Sequence, residues 1–215
     1  DDQGRILIDG IYEKIVQPNE REMDLIETYA IENADSLRKI YGLKLPILES
    51  DRRAFLKTYY FEPALSIEGI STGYQGQGVK TILQASAKME MRLVPGLTPE
   101  YVLECIKAHL KKEGFDRIKV TFTLGEESYR SDMSDPAIVN VIELAKGFYE
   151  EGVAVLPTAA GTGPMHMIHQ ALGVPMAAFG IGNANSRDHG GDENVSLADY
   201  YTHIELIKEL IASYE

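Results

Sequence analysis

A chain of 215 residues with 44% hydrophobic and 25% charged residues is long enough to bury one large core or two modest ones. Its formal net charge of −12 argues against a nucleic-acid partner, because neutralising phosphates requires positive charge. The apolar runs are too short to span a membrane, and the single cysteine, Cys105, cannot form an internal disulfide, so a reducing cytoplasm fits the composition.

The first half of the chain predicts an α+β unit. The sequence begins at Asp1 without an initiator methionine, and we therefore expect it to start inside a longer polypeptide. Alternating and helical apolar patterns, with Asn19 and Thr98 as helix N-caps, predict the elements in turn. These are strands over Arg5–Ile11, Ala64–Ile70, Ser86–Val94 and Arg117–Leu124, and helices after Asn19, over Asp35–Tyr41 and from Pro99 to Lys112. Strand, strand, helix and strand in this order make up most of a ferredoxin-like α+β sandwich.

The second half predicts an α/β arrangement with a parallel sheet, because helices and strands alternate there. The elements are a helix from Pro136 to Tyr149, a strand over Val153–Leu156, a helix that begins near Gly161 and ends at Gly173, a strand over Pro175–Phe179 and a final helix capped by Ser196. The final helix is expected to bury an apolar face formed by Ile204, Ile207, Leu210 and Ile211. The boundary between the two halves falls near residues 126–134.

The loop after the last predicted strand carries a histidine and several carboxylates. Asp188, His189, Asp192 and Glu193 lie in a glycine-rich stretch just before the final helix. Open α/β sheets usually bind ligands where buried strands end, and histidine with carboxylates suits a borderline-to-hard metal ion. A capping loop with solvated charges is the alternative, and the loop alone does not decide between the two.

Arg92 stands at the end of an alternating strand that follows a glycine loop ending in Lys80 and Thr81. An arginine in this position can bind a carboxylate through two parallel hydrogen bonds, and its alternative role is to pair with Glu90. Thr162 precedes a helix N-terminus, where free N–H groups attract anions. Simple capping is the alternative role of Thr162.

Two further patterns do not support a nucleotide site or a metal site built on paired histidines. The stretch Gly73–Thr81 is not a nucleotide loop, because Val79 separates its last glycine from Lys80 and a strand follows in place of a helix. His166 and His169 share a helix face, but no glutamate accompanies them in a His-Glu-x-x-His arrangement. Packed or rim histidines are the better interpretation.

Four of these stretches together resemble the M20 family of metallopeptidases, notably its cytosolic dipeptidase branch. Gly73-Tyr-x-Gly-x-Gly-x-Lys-Thr81 is similar to the family's glycine loop, and Arg92-Leu-Val-Pro-Gly96 is similar to its arginine strand. Gly161-Thr-Gly-Pro164 is similar to its Gly-Ser-x-Pro helix start, and His189-Gly-Gly-Asp-Glu193 to its His-x-x-Asn-Glu metal loop. Each motif is modest alone, but all four occur in the family's order.

The resemblance implies a zinc-peptidase α/β catalytic domain with an inserted ferredoxin-like α+β lid, usually dimeric through the lid. It assigns residues 1–128 to the lid, or dimerisation, domain and residues 129–215 to the C-terminal part of the catalytic domain. In the family two zinc ions, with manganese or cobalt as alternatives, activate a bridging water. By resemblance, His189 ligates one zinc with Asp192 and Glu193 beside it. The residues expected to hold the substrate are Arg92, Lys80, Thr81, Gly161 and Thr162.

The family's remaining metal ligands and its general-base glutamate belong upstream of residue 1, so no catalytic residue is expected within this chain. No His-x-Asp occurs in the sequence, and Glu126-Glu127 follows the arginine strand, which is the wrong place for the catalytic pair. A catalytic zinc usually needs three protein ligands. We therefore expect this chain to be the C-terminal portion of a hydrolase and to be inactive alone.

The leading hypothesis is part of a metal-dependent dipeptidase or carboxypeptidase that acts on small peptides with a free C-terminal carboxylate, in a cytoplasmic homodimer. An N-acyl-amino-acid deacylase, comparable to acetylornithine deacetylase or succinyl-diaminopimelate desuccinylase, is the alternative within the same class, because both groups recognise a free carboxylate. A non-enzymatic dimerisation module is the alternative from a different class. Neither nucleic acid nor a membrane is expected as a partner.

Overall fold

The computed structural model describes residues 1, 4–29, 52–74, 78, 84–149, 152–159, 161–183 and 185–214. Its elements are α1 (described over residues 20–29), α2 (Arg52–Phe61), β1 (Ala64–Thr72), β2 (Ala85–Arg92), α3 (Pro99–Lys112), α4 (Pro136–Phe148), α5 (Met165–Leu172) and α6 (Leu197–Ala212). None of the described helices combines the length and the hydropathy needed to cross a bilayer. The helix predicted over Asp35–Tyr41 lies outside the described residues.

Two units divide the chain. Unit one comprises Asp1–Gln17, Lys57–Tyr129 and Ala160–His166, and unit two comprises Pro18–Leu56, Arg130–Ala159 and Met167–Glu215. Each unit is therefore assembled from segments that are distant in sequence. The assignment of residues 1–128 to a lid and 129–215 to a catalytic part stays a prediction.

The sheet of unit one consists of β1 and β2, paired antiparallel. Residues directly opposite one another share a face of such a sheet. The apolar pairs are Leu65 with Met91, Ile67 with Met89 and Ile70 with Ala87, and the small or polar pairs are Ala64 with Arg92, Ser66 with Glu90 and Ser71 with Ser86. The alternation in β2 correctly predicts one apolar and one polar face.

The core of unit one joins the N-terminal segment to α3 and to the chain between β2 and α3. Its buried side chains are Ile11, Ile15, Val94, Leu97, Val102 and Cys105. Gly96 permits a close approach, because a Cβ there would lie 1.9 Å from the carbonyl oxygen of Lys14, and its φ of +98° favours glycine. The N–H of Val16 donates to the carbonyl of Pro95 at 2.8 Å. Cys105 is buried and forms no disulfide, as expected for a single cysteine.

Three helices begin at N-cap residues, two of which, Thr98 and Ser196, are predicted from the sequence. Thr98, Asp135 and Ser196 each accept a hydrogen bond from a backbone N–H two or three residues further on, at 3.2, 2.8 and 3.4 Å. These bonds satisfy N–H groups that have no partner inside the helix. Gly173, with a φ of +68°, follows the last residue of α5. The predicted boundaries of α3 and α4, the start of α6 and the end of α5 are confirmed to within about two residues, but α5 begins at Met165 rather than near Gly161.

Unit two contains a buried ion pair at the start of α1. Asn19 Oδ1 accepts from the Glu22 N–H at 2.9 Å, and Glu22 Oε2 accepts from the Asn19 N–H at 2.8 Å, which forms a capping box. The other carboxylate oxygen of Glu22 lies 2.9 Å from Nε of Arg130, and both side chains are only 7% exposed. Burial lowers the pKa of Arg130, and the charge of Glu22 opposes this shift. One glutamate thus caps a helix and balances a buried cation.

Four predicted strands are wrong: within the described residues, 5–11, 117–124, 153–156 and 175–179 do not form strands. Their patterns indicate which side chains favour burial, but a strand also needs a neighbour that accepts its backbone hydrogen bonds. A side chain provides such bonds for Met176, whose N–H and carbonyl both bond to the Ser131 hydroxyl, at 2.8 and 2.7 Å. Within the described residues the sheet consists of β1 and β2; the mixed α and β composition is confirmed, and the ferredoxin-like sandwich and the parallel sheet stay predictions.

The apolar face predicted for the final helix is also largely wrong. α6 packs against α4 and buries Leu206, with Leu210 half-buried. Ile204, Ile207 and Ile211 are instead 36%, 39% and 62% exposed. Apolar residues lie on two sides of α6, an arrangement that is typical of a helix packed between two layers.

Candidate carboxylate and metal-ligand sites

Arg92, the last residue of β2, contacts a hydroxyl and a carboxylate. Its Nη1 donates to Thr162 Oγ1 at 2.5 Å, and its Nε lies 2.7 Å from Glu90 Oε1. The side chains of Arg92 and Glu90 are 56% and 43% exposed, so water screens their attraction. Arg92 therefore pairs with Glu90, as in the alternative considered from the sequence, and at the same time touches the candidate Thr162.

The fold places these residues for separate reasons. Arg92 and Glu90 are two apart on β2, so both lie on the polar face of the sheet. Thr162 lies in the segment before α5, next to the exposed Gly161, and tertiary structure brings it to Arg92. Lys80 and Thr81 lie outside the described residues, and their substrate contacts stay predictions.

A second ionisable pair lies at the start of α5. His166 Nε2 is 3.9 Å from Glu127 Oε2, and the histidine side chain is 25% exposed. The same short segment therefore contacts β2 through Thr162 and the stretch after Leu124 through His166. His166 is a rim histidine, in agreement with its interpretation from the sequence.

His189 lies on a loop of unit two with an unusual backbone. Arg187, His189 and Asp192 have φ angles of 57°, 60° and 60°, in the left-handed region that residues other than glycine seldom adopt. Such conformations persist where surrounding contacts hold them, and they concentrate at functional sites. His189 itself is exposed, so a ligand can reach its imidazole.

Hydrogen bonds to Ser186 and Asn194 hold this loop. Ser186 is 1% exposed; its Oγ accepts from the Asn183 N–H at 2.8 Å, and its carbonyl accepts from the Asn194 N–H at 3.0 Å. The side-chain amide of Asn194 donates to two loop carbonyls at 3.1 and 3.0 Å. The two ends of the loop are therefore tied together, and His189 lies between them in sequence.

The carboxylates near His189 in sequence are exposed. Asp192 Oδ2 lies 3.5 Å from Nη1 of Arg187, and Glu193 is exposed. An open depression on this loop is lined by Asn185, Arg187, Asp192 and Asn194. The roles of Asp192 and Glu193 beside a metal stay predictions.

The described residues do not by themselves fit a catalytic metal centre. Within them, no three His, Cys, Asp or Glu side chains come close enough together to hold one ion. His189 offers one nitrogen ligand, whereas a catalytic zinc usually has three protein ligands. A catalytic metal held by His189 therefore needs further ligands from outside the described residues.

Sequence reasoning missed the residues that hold the loop. Ser186 and Asn194 stand in a polar stretch where serine and asparagine commonly make local side-chain turns, so their residue types were a usable signal. The bond from Ser186 back to Asn183 follows such a local pattern. The bond that the Asn194 side chain donates to the carbonyl of Asn185 spans nine residues, and no such local pattern predicts it.

The described residues thus define a mixed α/β protein with an arginine–threonine pair suited to a small carboxylate and a strained loop that carries a histidine. The model of peptidase family M20/M25/M40 matches residues 7–213. The chain therefore belongs to this peptidase family, which confirms the resemblance carried by the four motifs.

Among curated proteins, the chain is 22% identical over 208 residues to the Beta-Ala-His dipeptidase of Mus musculus, an alignment that covers 93% of this chain and 42% of the relative. It is 28% identical over 111 residues to the Cys-Gly metallodipeptidase DUG1 of Saccharomyces cerevisiae, covering 51% of this chain and 23% of the relative. The chain spans less than half the length of these relatives.

Solved structures of the family share the fold. The M20 family metallo-carboxypeptidase Sso-CP2 from Sulfolobus solfataricus matches with a TM-score of 0.81 and 33% identity, covering 98% of this chain and 48% of that one. Human carnosine dipeptidase 1 matches with a TM-score of 0.76 and 19% identity, covering 98% of this chain and 46% of that one. The second likeness establishes the fold alone.

Proposed function

We propose that this chain is part of a metal-dependent peptidase that cleaves dipeptides or short peptides with a free C-terminal carboxylate. The matched relatives are dipeptidases and a metallo-carboxypeptidase by name. The observation that carries the proposal is the hydrogen bond between Arg92 and Thr162. The bond places a guanidinium and a hydroxyl side by side with the Arg92 side chain half exposed.

Arg92 and Thr162 can bind one carboxylate together. A guanidinium has five N–H donors, and arginine commonly binds a carboxylate through two parallel hydrogen bonds. Thr162 Oγ1 accepts from Arg92, which leaves the hydroxyl hydrogen for the ligand. The C-terminal carboxylate of a peptide is the ligand that fits these groups.

His189 is the residue we assign to the metal. An imidazole nitrogen suits zinc, and manganese or cobalt is compatible with a site that also contains carboxylates. The left-handed backbone of Arg187, His189 and Asp192 supports a functional role for this loop. The remaining ligands and the general base come, in this proposal, from the part of the family fold that the chain does not span.

Two observations support the idea that the chain is a portion of the functional unit. It covers 48% of the solved Sulfolobus carboxypeptidase. On α6, Ile204, Ile207 and Ile211 are also exposed, although an apolar helix side normally packs against another layer. The missing part of the family fold is a suitable cover for it.

We assign dimerisation to the apolar face of the sheet in unit one. On the apolar face of its sheet, Ile67, Ile70 and Met89 are 60%, 70% and 49% exposed, and contiguous exposed apolar residues mark interaction surfaces. Light scattering tests this: the wild-type chain should be a dimer and Ile70→Glu a monomer. Ser71→Glu, on the polar face of the same strand, is the matched control and should remain dimeric.

The carboxylate site can be tested without hydrolysis. The ligands are the dipeptide Ala-Ala and its C-terminal amide, titrated by NMR into the wild-type chain, Arg92→Ala and Arg117→Ala, in which another exposed arginine of unit one is removed. We expect the wild-type and Arg117→Ala chains to prefer the free acid, and Arg92→Ala to lose that preference. An unchanged preference in Arg92→Ala contradicts the proposal.

A second experiment tests whether the chain suffices for catalysis. The isolated chain is incubated with Ala-Ala and Zn²⁺ or Mn²⁺, and we expect no hydrolysis because its described residues hold no metal centre. Robust turnover would overturn the claim that the other ligands come from elsewhere. A chain that dimerises but shows neither turnover nor carboxylate preference is the non-enzymatic module.

A further inference from the structure

We propose that Glu90 sets the charge selectivity of the Arg92 site, so that the site favours ligands with one carboxylate and disfavours those with a second negative charge nearby. This inference rests on the proposed carboxylate binding by Arg92. It adds a specificity-determining residue, on β2, and a substrate class: peptides whose C-terminal residue is not acidic.

The guanidinium of Arg92 contacts two side chains, those of Glu90 and Thr162. Glu90 Oε1 lies 2.7 Å from Nε, and Thr162 Oγ1 accepts from Nη1. Five N–H groups are present on a guanidinium, so Nη2 and the second hydrogen of Nη1 remain to donate to a carboxylate. Glu90 therefore occupies the inner side of the group and leaves its outer end to the ligand.

The sheet register explains why Glu90 rather than another residue pairs with Nε. Glu90 and Arg92 lie on the same face of β2, and the residues opposite them on β1 are Ser66 and Ala64. Both opposite side chains are small and uncharged, so neither competes for the guanidinium. Ser66 instead donates to Glu68 Oε1 at 2.7 Å.

The consequence for ligands is electrostatic. Two carboxylates bound to different N–H groups of one guanidinium are about 5 Å apart, close enough for like charges to disfavour one another. One ligand carboxylate gains two directed hydrogen bonds that outweigh this repulsion. A second ligand carboxylate on the C-terminal side chain meets the charge of Glu90, and only one N–H of Nη2 is left for it, so it cannot gain a second pair of directed hydrogen bonds.

The test compares three dipeptides on the isolated chain. Ala-Ala carries one C-terminal carboxylate, Ala-Glu carries a second on its side chain, and the C-terminal amide of Ala-Ala carries none. Binding is followed by NMR through the Nε–Hε resonance of Arg92, which reports directly on the bond to Glu90. Wild-type chain is expected to bind Ala-Ala about threefold more tightly than Ala-Glu, as suits an exposed charge interaction.

Glu90→Gln keeps an oxygen that accepts from Nε and removes only the charge. We expect it to abolish the difference between Ala-Glu and Ala-Ala. Glu68→Gln removes the same charge from the neighbouring strand without touching the Arg92 bond in the described contacts, and it should keep the difference. Glu90→Ala also removes the acceptor, and it should broaden or shift the free Arg92 Nε–Hε resonance.

The outcomes separate this inference from the proposed function. If the wild-type chain prefers Ala-Ala over its amide but Glu90→Gln leaves the ratio of Ala-Ala to Ala-Glu unchanged, the role of Glu90 is refuted and the carboxylate site stands. If Glu68→Gln changes that ratio as much as Glu90→Gln does, the selectivity is a general effect of charge, and the inference is again refuted. If the amide binds as well as the acid, the proposed function itself fails.

Discussion

The guanidinium of Arg92 donates a hydrogen bond of 2.5 Å to the hydroxyl of Thr162, across 70 residues of sequence. The bond joins two of the four motifs that carry the family resemblance, the arginine strand and the Gly-Thr-Gly-Pro segment, within unit one. Neither motif alone distinguishes a carboxylate site from an ordinary ion pair or helix cap. Their contact is what makes a bidentate site with an adjoining hydroxyl possible.

Replacing Thr162 by valine should weaken carboxylate binding. The variant removes the acceptor for Arg92 and the donor for the ligand while keeping the side-chain shape. We expect the affinity for Ala-Ala to fall about fivefold, equivalent to about 1 kcal/mol for a partly exposed hydrogen bond, measured by NMR titration. Thr162→Ser keeps the hydroxyl and should retain most of the affinity; an equal loss in both variants would show that the hydroxyl is not the cause.

Gly96→Ala should destabilise unit one far more than Gly114→Ala. Both glycines have positive φ, +98° and +80°, so both variants incur the same kind of backbone strain, about 1 kcal/mol. Only at Gly96 would the new Cβ collide with backbone, 1.9 Å from the Lys14 carbonyl oxygen, whereas nothing lies within 4 Å at Gly114. We expect a loss of about 3 kcal/mol or more for Gly96→Ala in urea unfolding, and similar losses in both variants would disprove the role of the close approach.

The helices could be predicted from the sequence because their signals are local. Thr98, Asp135 and Ser196 each bond to an N–H within three residues, so cap and helix are encoded in one short window. Strand formation depends on residues that are more distant in the sequence. The segment 117–124 alternates as β2 does, yet only β2 has a described partner strand, and a pattern cannot supply that partner.

In the candidate site, too, the sequence predicts the local features but not the contacts between distant residues. Spacing alone places Glu90 and Arg92 on one face of a strand, and the motifs identify His189 as a candidate ligand. The contact of Arg92 with Thr162 depends on tertiary structure. The same holds for the pair formed by Glu22 and Arg130, which are 108 residues apart by their numbering and are both buried.

Replacing only one partner of the Glu22–Arg130 pair should lower the unfolding free energy strongly. Arg130→Met leaves the buried carboxylate of Glu22 without this cation, and we expect a loss of about 3 kcal/mol of unfolding free energy. The double variant Glu22→Gln/Arg130→Met removes both charges and keeps an oxygen for the Asn19 N–H, so its loss should be smaller. A double-mutant cycle by chemical unfolding measures this; strictly additive losses would mean that the two charges do not interact.

Ser186→Ala should loosen the loop that carries His189 while the helices of unit two remain folded. The substitution leaves the Asn183 N–H without its acceptor in a place where Ser186 is 1% exposed, which costs about 1–3 kcal/mol. Hydrogen exchange should rise over residues 183–194 and stay unchanged in α4. Ser213→Ala, at the end of α6, is a serine control outside the loop and should leave exchange in 183–194 as in the wild type.

Truncation to alanine should lower the unfolding free energy strongly at Leu206 and hardly at all at Ile211, although both are aliphatic residues of one helix. Leu206 is 2% exposed, so Leu206→Ala removes buried methyl groups and leaves a cavity, at a cost of about 3 kcal/mol. Ile211 is 62% exposed, and alanine has the higher helix propensity, so Ile211→Ala should change the unfolding free energy by less than about 0.5 kcal/mol. Urea unfolding of the isolated chain measures both. A loss at Ile211 comparable to that at Leu206 would mean that this side of α6 is already covered in solution, and it would remove one of the two arguments that the chain is a portion of a larger unit.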